Sequence, residues 1–316
     1  MNKKAFLLLC FLWPALSAMA QMDHLVFTPQ WLPQAQFAGY YVAQEKGFFK
    51  EAGLDVEIVH PTASEPALTR IKEDKSQATT LQLMEAMELC DFGIPLVNIL
   101  QTSMNNSLVI VSRRGMNPME QKGARVGVWS AGFGQLAYCM SIKDGLDYEW
   151  IPIASNINLF ISGALDATLA TSYNEYYQLL QTGLPITEES VYRFRDHGYN
   201  IQEDGVYVTR TFYDEHPDIC KRFAEACKRG WEWAAEHPNE TLEIVMDVVK
   251  NNHVATNRIL QKLMLEEILN LLVDKETGRR EYRLRREIVD QANQLMLDNN
   301  LIFDEVSYEQ LLDLSL

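Results

Sequence analysis

Hydrophobic and polar positions follow two alternating periods along the first two thirds of the chain. Residues 25–27 begin a strand, and a helix over about 36–46 ends at Gly47, which accepts a positive φ without steric cost. Residues 54–59 alternate with the period of two that is typical of a strand. Strands that alternate with helices in this way indicate an α/β fold in which much of the sheet is parallel. Further strands are predicted over 78–81, 95–101, 108–112, 124–129, 149–153, 165–171, 191–194 and 205–209, and further helices over 62–74, 82–90, 134–143 and 156–162.

From about residue 217 onward the period of two disappears. Apolar residues now recur at spacings of three and four, as helices with one packed face require. We therefore expect a helical C-terminal part without strands. The predicted helices cover 217–236, 239–250, 256–273 and 284–299, with a last turn near Tyr308.

The start of the chain has the pattern of an export signal. Lys3 and Lys4 precede an apolar run at 5–16, and small residues flank Met19 as in a cleavage site. The run is shorter than the roughly 20 apolar residues that a transmembrane helix needs. We therefore predict a signal peptide at 1–20, cleavage after it, and a periplasmic mature chain.

Charge and motif spacing exclude several classes of function. The formal net charge is −15, which opposes binding to nucleic acid or to anionic membranes. We also expect no metal, no cofactor and no catalysis, because no metal-ligand spacing, nucleophile motif or phosphate loop is present. Among the histidines, only His60 ends a predicted strand beside the presumed site. Glu203 and Asp204 precede the predicted strand 205–209 and fit either a hinge position or a solvated one. The cysteines after the signal are scattered, and buried free thiols are expected rather than a disulfide between the first two: Cys90, Cys139, Cys220 and Cys227.

The stretch 30–58 carries the strongest candidate chemistry. It reads as a strand exit, a proline-bearing turn, an aromatic helix and a second strand. Its aromatic rings offer stacking surfaces, and Gln34 and Gln36 offer amide groups, which together suit a flat, polar small molecule. The candidate binding residues in this stretch are Trp31, Gln36, Phe37, Tyr40 and Tyr41.

A second group of candidates follows later predicted strands. Ligands in open α/β sheets bind beyond the carboxyl ends of strands, and several polar or aromatic residues stand at such ends. The glycine-bearing turn 130–134 lets backbone approach a ligand, and a small or polar residue at a helix start can bind one. These candidates are Ser64, Gln82, Trp129, Phe133, Tyr173, Asn174 and Glu175.

With these stretches in view, the chain resembles the substrate-binding proteins of ABC importers, in the group for thiamine pyrimidine precursors and sulfonates. The resemblance is strongest at 31–58, where YYVA, KGFFKEAG and LDVEI follow one another. KGARVGVW at 122–129, GALDATLATSYNE at 163–175 and GYNIQEDGVYVT at 198–209 continue it in the group's order. It covers roughly residues 22 to 250.

The resemblance implies a type II periplasmic-binding fold of two α/β lobes with a hinge. One lobe would comprise 21–108 and 206–316, and the other 109–205. The ligand would lie in the cleft between the lobes, and the closed protein, a monomer, would dock on a membrane permease. None of this follows from composition or periodicity.

Within that group, the residues favour a flat N-heteroaromatic ligand such as a thiamine pyrimidine precursor. Glu175 would accept hydrogen bonds from an amine and a ring nitrogen, and the tryptophans and tyrosines would enclose the ring. A sulfonate would require Arg, Lys or a nest of N–H groups. A flavin remains an alternative ligand. An enzyme like the pyrimidine-precursor synthase and a sensor domain for a membrane partner are the alternative functions.

Overall fold

The computed structural model of the chain describes residues 22–113, 115–130, 133–154 and 156–312. The predicted signal peptide and residues 131 and 132 of the glycine-bearing turn lie outside these ranges. Two five-stranded sheets form the centre of the molecule. The strands are β1 Asp23–Thr28, β2 Leu54–Ile58, β3 Ala78–Gln82, β4 Leu96–Gln101, β5 Leu108–Ser112, β6 Arg125–Trp129, β7 Glu149–Ile153, β8 Ala167–Thr171, β9 Val191–Arg193 and β10 Asp204–Thr209.

Helices cover the sheets and make up most of the C-terminal part. The predicted C-terminal helices are present within a few residues of their expected ends. No helix among the described residues combines the length and apolar character that crossing a membrane requires. The helices are α1 Ala38–Glu45, α2 Phe48–Glu51, α3 Ala67–Lys72, α4 Leu83–Asp91, α5 Gln135–Lys143, α6 Asn158–Ser162, α7 Glu175–Leu180, α8 Arg210–Glu215, α9 Pro217–Glu236, α10 Pro238–Asn251, α11 Arg258–Leu271, α12 Arg286–Asp298 and α13 Tyr308–Leu311.

Both sheets mix parallel and antiparallel pairs, which confirms the α/β prediction and limits its parallel part. The first sheet has the order β2-β1-β3-β10-β4 and the second the order β7-β6-β8-β5-β9. β1 and β6 pair in parallel with both of their neighbours. β10 and β5 are antiparallel to both of theirs, since each enters its sheet from a segment that crosses between the sheets.

Between its described strands the chain passes from one sheet to the other twice, and the two crossings are joined by buried polar contacts. One crossing is 102–107, between β4 and β5, and the other is 194–203, between β9 and β10. The backbone N–H of Ser107 donates to Glu203 Oε2 at 2.9 Å, and that of Asn106 donates to Asn200 Oδ1 at 2.8 Å. These bonds hold the two crossings side by side.

The last helices extend over both sheets. α12 and α13 contribute to the apolar core that also contains α4, α5 and the second sheet. The thiol of Cys139 on α5 lies 3.4 Å from the carbonyl oxygen of Leu295. The N–H groups of Phe303 and Asp304 donate to Asp91 at the end of α4. The C-terminal segment therefore packs on the second sheet as well as on the first.

One helix start differs from the sequence prediction. A helix was expected from residue 62, but α3 begins at Ala67 after Pro66, whose ψ of 154° is not helical. Proline disfavours helical backbone in the residue before it, so the segment ahead of Pro66 stays out of the helix. Ser64 therefore stands in a bend and not in a first helical turn.

Candidate functional site

A cavity of about 390 Å³ lies between the two sheets, beyond the carboxyl ends of β1, β3, β6 and β8. This volume includes the space at the mouth of the cavity that opens to solvent. Its position agrees with the rule for ligands in open α/β sheets. The lining residues are Gln30, Trp31, Gln34, Gln36, Gln82, Trp129, Phe133, Thr171, Tyr173, Asn174 and Glu175.

Aromatic rings from both sides meet at this cavity. Trp31 follows β1, while Trp129 ends β6 and Phe133 comes shortly after it. The rings of Trp31 and Phe133 have centroids 6.0 Å apart and planes at 76°, an edge-to-face contact across the gap between the sheets. Trp129 and Tyr173 are buried. A flat ring in the cavity would find apolar surfaces on both sides.

Three glutamines on the first-sheet side are linked to one buried carboxylate. Gln30 Nε2 and Gln36 Nε2 donate to Asp204 at 3.0 and 2.6 Å, one to each carboxylate oxygen. Gln34 Nε2 donates to Gln36 Oε1 at 2.6 Å. We refer to these four residues as the glutamine relay. Burial raises the pKa of Asp204, and the hydrogen bonds from Gln36 and Gln30 lower it in part.

The opposite side carries Glu175 at the start of α7. Its Oε2 accepts from the backbone N–H of Thr171 at 3.0 Å and from the Thr171 hydroxyl at 2.8 Å. Its Oε1 accepts from Asn174 Nδ2 at 3.1 Å. Burial raises the pKa of Glu175, and the donors from Thr171 and Asn174 lower it in part. The donors hold the carboxylate in one orientation beside the cavity.

The structure brings eight of the twelve sequence-predicted residues to the cavity. Their contact with a ligand remains a prediction. The eight are Trp31, Gln36, Gln82, Trp129, Phe133, Tyr173, Asn174 and Glu175.

The other four predicted residues do not line the cavity. Tyr40 packs between Phe27 and Trp231, with ring centroids 4.8 and 5.5 Å away. Phe37 and Tyr41 are also buried in the core of the first sheet, where the rings of both lie against His60. Ser64 is exposed, and its hydroxyl pairs with Thr62. The expected stacking by Tyr40 and Tyr41 therefore has no counterpart in this arrangement.

His60 supports the backbone on the first-sheet side of the cavity. Its Nδ1 is 2.7 Å from the carbonyl oxygen of Trp31, and its Nε2 is 2.9 Å from the Tyr41 hydroxyl. Burial lowers the pKa of His60 to about 4, so the ring is neutral at physiological pH. A neutral imidazole in this position fixes the backbone that carries Trp31.

Sequence reasoning missed Gln30 and Thr171 as lining residues and left Asp204 undecided between a hinge position and a solvated one. Gln30 and Thr171 could have been found from the sequence, since each stands at the end of a strand that already carried a candidate. The sequence gives no such indication for Asp204, because Asp204 meets Gln36 across 168 positions of sequence. No group of three or more His, Cys, Asp or Glu among the described residues is arranged to hold a metal.

Comparison with known proteins gives one family. The family model described as NMT1/THI5 like matches residues 34–241. A formylaminopyrimidine-binding protein of Halalkalibacterium halodurans is 27% identical over 259 residues, covering 78% of this chain and 75% of that protein. A protein of Haemophilus influenzae named a putative thiamine biosynthesis protein is 25% identical, covering 78% of this chain and 79% of the other.

Solved structures share the fold. The periplasmic aliphatic sulphonate binding protein SsuA from Escherichia coli superimposes with a TM-score of 0.66 at 12% identity, covering 92% of each chain. At this identity the likeness shows the fold alone. The fold predicted from the sequence, that of the periplasmic-binding proteins, is confirmed.

Proposed function

Because the chain belongs to the NMT1/THI5-like family, we propose that it is the periplasmic solute-binding component of an ABC importer. Its ligand would be a small, flat N-heteroaromatic molecule such as a thiamine pyrimidine precursor. The sheets with their helices would act as two lobes, 21–108 with 206–316 and 109–205, that close on the ligand by a hinge at the two crossings. The closed protein would deliver the ligand to a membrane permease.

The composition of the cavity carries this proposal. Aromatic rings flank it on both sides, and its polar groups are carboxamides, hydroxyls and one carboxylate. No Lys, Arg or His of the described ranges is among its lining residues. A sulfonate or phosphate would lose its hydration there without gaining a cation, and burying an unpaired charge is costly. An uncharged or protonated ring with amino groups would instead meet acceptors.

The relatives supply the chemical class. One is named for binding a formylaminopyrimidine and another for thiamine biosynthesis. Both names agree with a pyrimidine that carries an amino group, and we expect such a ring to bind between Trp31 and the Trp129 side of the cavity. We therefore favour a pyrimidine precursor over riboflavin or thiamine itself.

Calorimetry with the purified mature chain tests the proposal. The panel contains an aminomethylpyrimidine precursor, thiamine, riboflavin and an alkylsulfonate. We expect saturable binding of the aminopyrimidine, with no turnover when ligand and protein are incubated and the ligand is analysed. Binding of the alkylsulfonate alone would contradict the proposal. Conversion of the pyrimidine, or iron in the purified protein, would favour a synthase-like enzyme instead.

A further inference from the structure

We propose that Asp204 is a specificity-determining residue, although it does not line the cavity itself. Through the glutamine relay it fixes which end of each carboxamide faces the ligand, and it thereby selects an amino group over an oxo group on the ring. The inference rests on the proposed function, since it concerns the ligand of the same cavity.

Asp204 orients the two carboxamides that are hydrogen-bonded to it. An ionised carboxylate offers only acceptors, whereas a carboxamide has one donor end and one acceptor end. Gln30 and Gln36 each meet a different oxygen of Asp204, so each must present its NH₂ group to the carboxylate. Their carbonyl oxygens are thereby turned away from Asp204.

The carboxamide oxygens of the glutamines point away from the carboxylate. Gln36 Oε1 accepts from Gln34 Nε2, so the orientation passes one residue further and leaves the carbonyl end of Gln34 as the end of the relay. Gln30 Oε1 is buried and has no hydrogen-bond partner among the described residues. Both Gln30 and Gln34 line the cavity. The carboxamide ends that the relay leaves without a partner on this side are therefore carbonyl oxygens, which suit the N–H groups of an amino substituent.

Backbone hydrogen bonds hold the relay in place. The backbone carbonyl oxygen of Asp204 accepts from the N–H groups of Thr102 and Ser103, both at 3.0 Å, and from the Thr102 hydroxyl at 2.8 Å. The backbone N–H of Gln30 donates to Thr80 Oγ1 at 2.8 Å. These bonds place the carboxylate and the first glutamine independently of the side-chain charge, so asparagine at position 204 should keep the geometry.

The test compares two ligands that differ in one group. The probes are a methyl aminopyrimidine and the matching methyl pyrimidone, which carries an oxo group in place of the amino group. Calorimetry gives the ratio of their dissociation constants for the wild type and for Asp204→Asn. We expect the wild type to prefer the aminopyrimidine by about tenfold or more, since an unsatisfied acceptor in a buried site costs about 1–3 kcal/mol. Asp204→Asn should remove or invert this preference, because its NH₂ can turn one glutamine around.

Glu203→Gln is the matched control. It replaces the neighbouring buried carboxyl by an amide of the same shape; the Glu203 side chain accepts from Ser107 and is hydrogen-bonded to no member of the relay. Absolute affinities can change in this variant, but the ratio between the two probes should stay that of the wild type. If Asp204→Asn does not fold, Gln30→Met removes the unpaired acceptor at similar side-chain length, and we expect the preference to fall in the same direction.

The outcomes separate this inference from the proposed function. A folded Asp204→Asn that keeps the wild-type ratio, or weakens both probes by one factor, overturns the inference and leaves the proposed function in place. A wild type that prefers the pyrimidone also overturns the inference and leaves the proposed function in place. A wild type that binds neither probe, nor any other ligand of the panel, overturns both.

Discussion

Glu175 is the carboxylate that we expect to bind an amino group of the ligand. It is held by Thr171 and Asn174 and is buried beside the cavity. Glu175→Gln should remove a charge-assisted hydrogen bond to an amino group, which is worth about 1.5–3 kcal/mol. Calorimetry with the aminopyrimidine should show affinity loss of that size. Glu188→Gln, an exposed acid of the same half of the molecule, is the control, and unchanged affinity in Glu175→Gln would remove this residue from the site.

Glu203 provides a prediction about pH. Burial, and next the charge of Asp204, raise the pKa of Glu203 to about 8, against the lowering effects of Ser107 and Arg195. The folded protein holds the proton of Glu203 more tightly than the unfolded chain does. The contribution of this proton to the stability of the folded state is complete below the unfolded pKa of about 4.5, and it is lost as pH rises from there through about 8. Glu203→Gln should therefore flatten the fall in stability over that window. Thermal unfolding of both proteins at several pH values measures it.

Histidine titration does not obscure this comparison. The pKa of His60 is lowered, so His60 reduces stability as pH falls below about 6.5, the opposite direction. The contribution of His60 to the pH dependence of stability is the same in the wild type and in Glu203→Gln, so it cancels in their difference. Equal pH dependence of the two proteins would show that Glu203 titrates in the folded protein as it does in the unfolded chain, and would contradict the raised pKa.

At the scale of elements, α1 and α9 approach so closely that only glycine fits at their crossing. A Cβ on Gly39 would lie 2.2 Å from Trp231 Cδ2, and one on Gly230 would lie 2.0 Å from the carbonyl oxygen of Gly39. Gly230→Ala should destabilise by about 1–3 kcal/mol, because overpacking forces the helices apart. Denaturant unfolding measures the loss. Lys221→Ala on the exposed face of α9 should cost little, and equal stability of the two variants would contradict the prediction.

The same crossing explains what sequence could predict about the site. Strands and helices follow local periodicity, so the order of elements and the strand ends near the cavity were predictable. The direction in which α1 faces depends on α9, nearly two hundred positions away. Tyr40 and Tyr41 were therefore expected in the cleft, while packing on Trp231 and pairing with His60 place them in the core. Asp204 was undecided for the same reason.

At the scale of the whole molecule, contacts that span the two sheets hold the arrangement around the cavity. Glu267 on α11 accepts from the Ser172 hydroxyl at 2.7 Å and from Arg195 Nη1 at 3.1 Å. On another side of the gap, Gln135 Nε2 donates to Glu88 at 2.8 Å. Ser172 stands three residues before Glu175, so the Glu267 contact is coupled through the backbone to the candidate site. Such pairs are distant in sequence and follow from no local pattern.

Glu267→Gln should therefore weaken binding without changing selectivity. The variant loses the ion pair with Arg195 but keeps an acceptor for Ser172, and closure should become less favourable by about 1 kcal/mol, or roughly fivefold in population. Stopped-flow dissociation should be faster by a similar factor for every ligand that the wild type binds. Glu266→Gln, the exposed neighbour that faces Lys262, is the matched control. A changed ratio between aminopyrimidine and pyrimidone in Glu267→Gln would place this residue at the ligand, and unchanged dissociation would show that the contact does not contribute to closure.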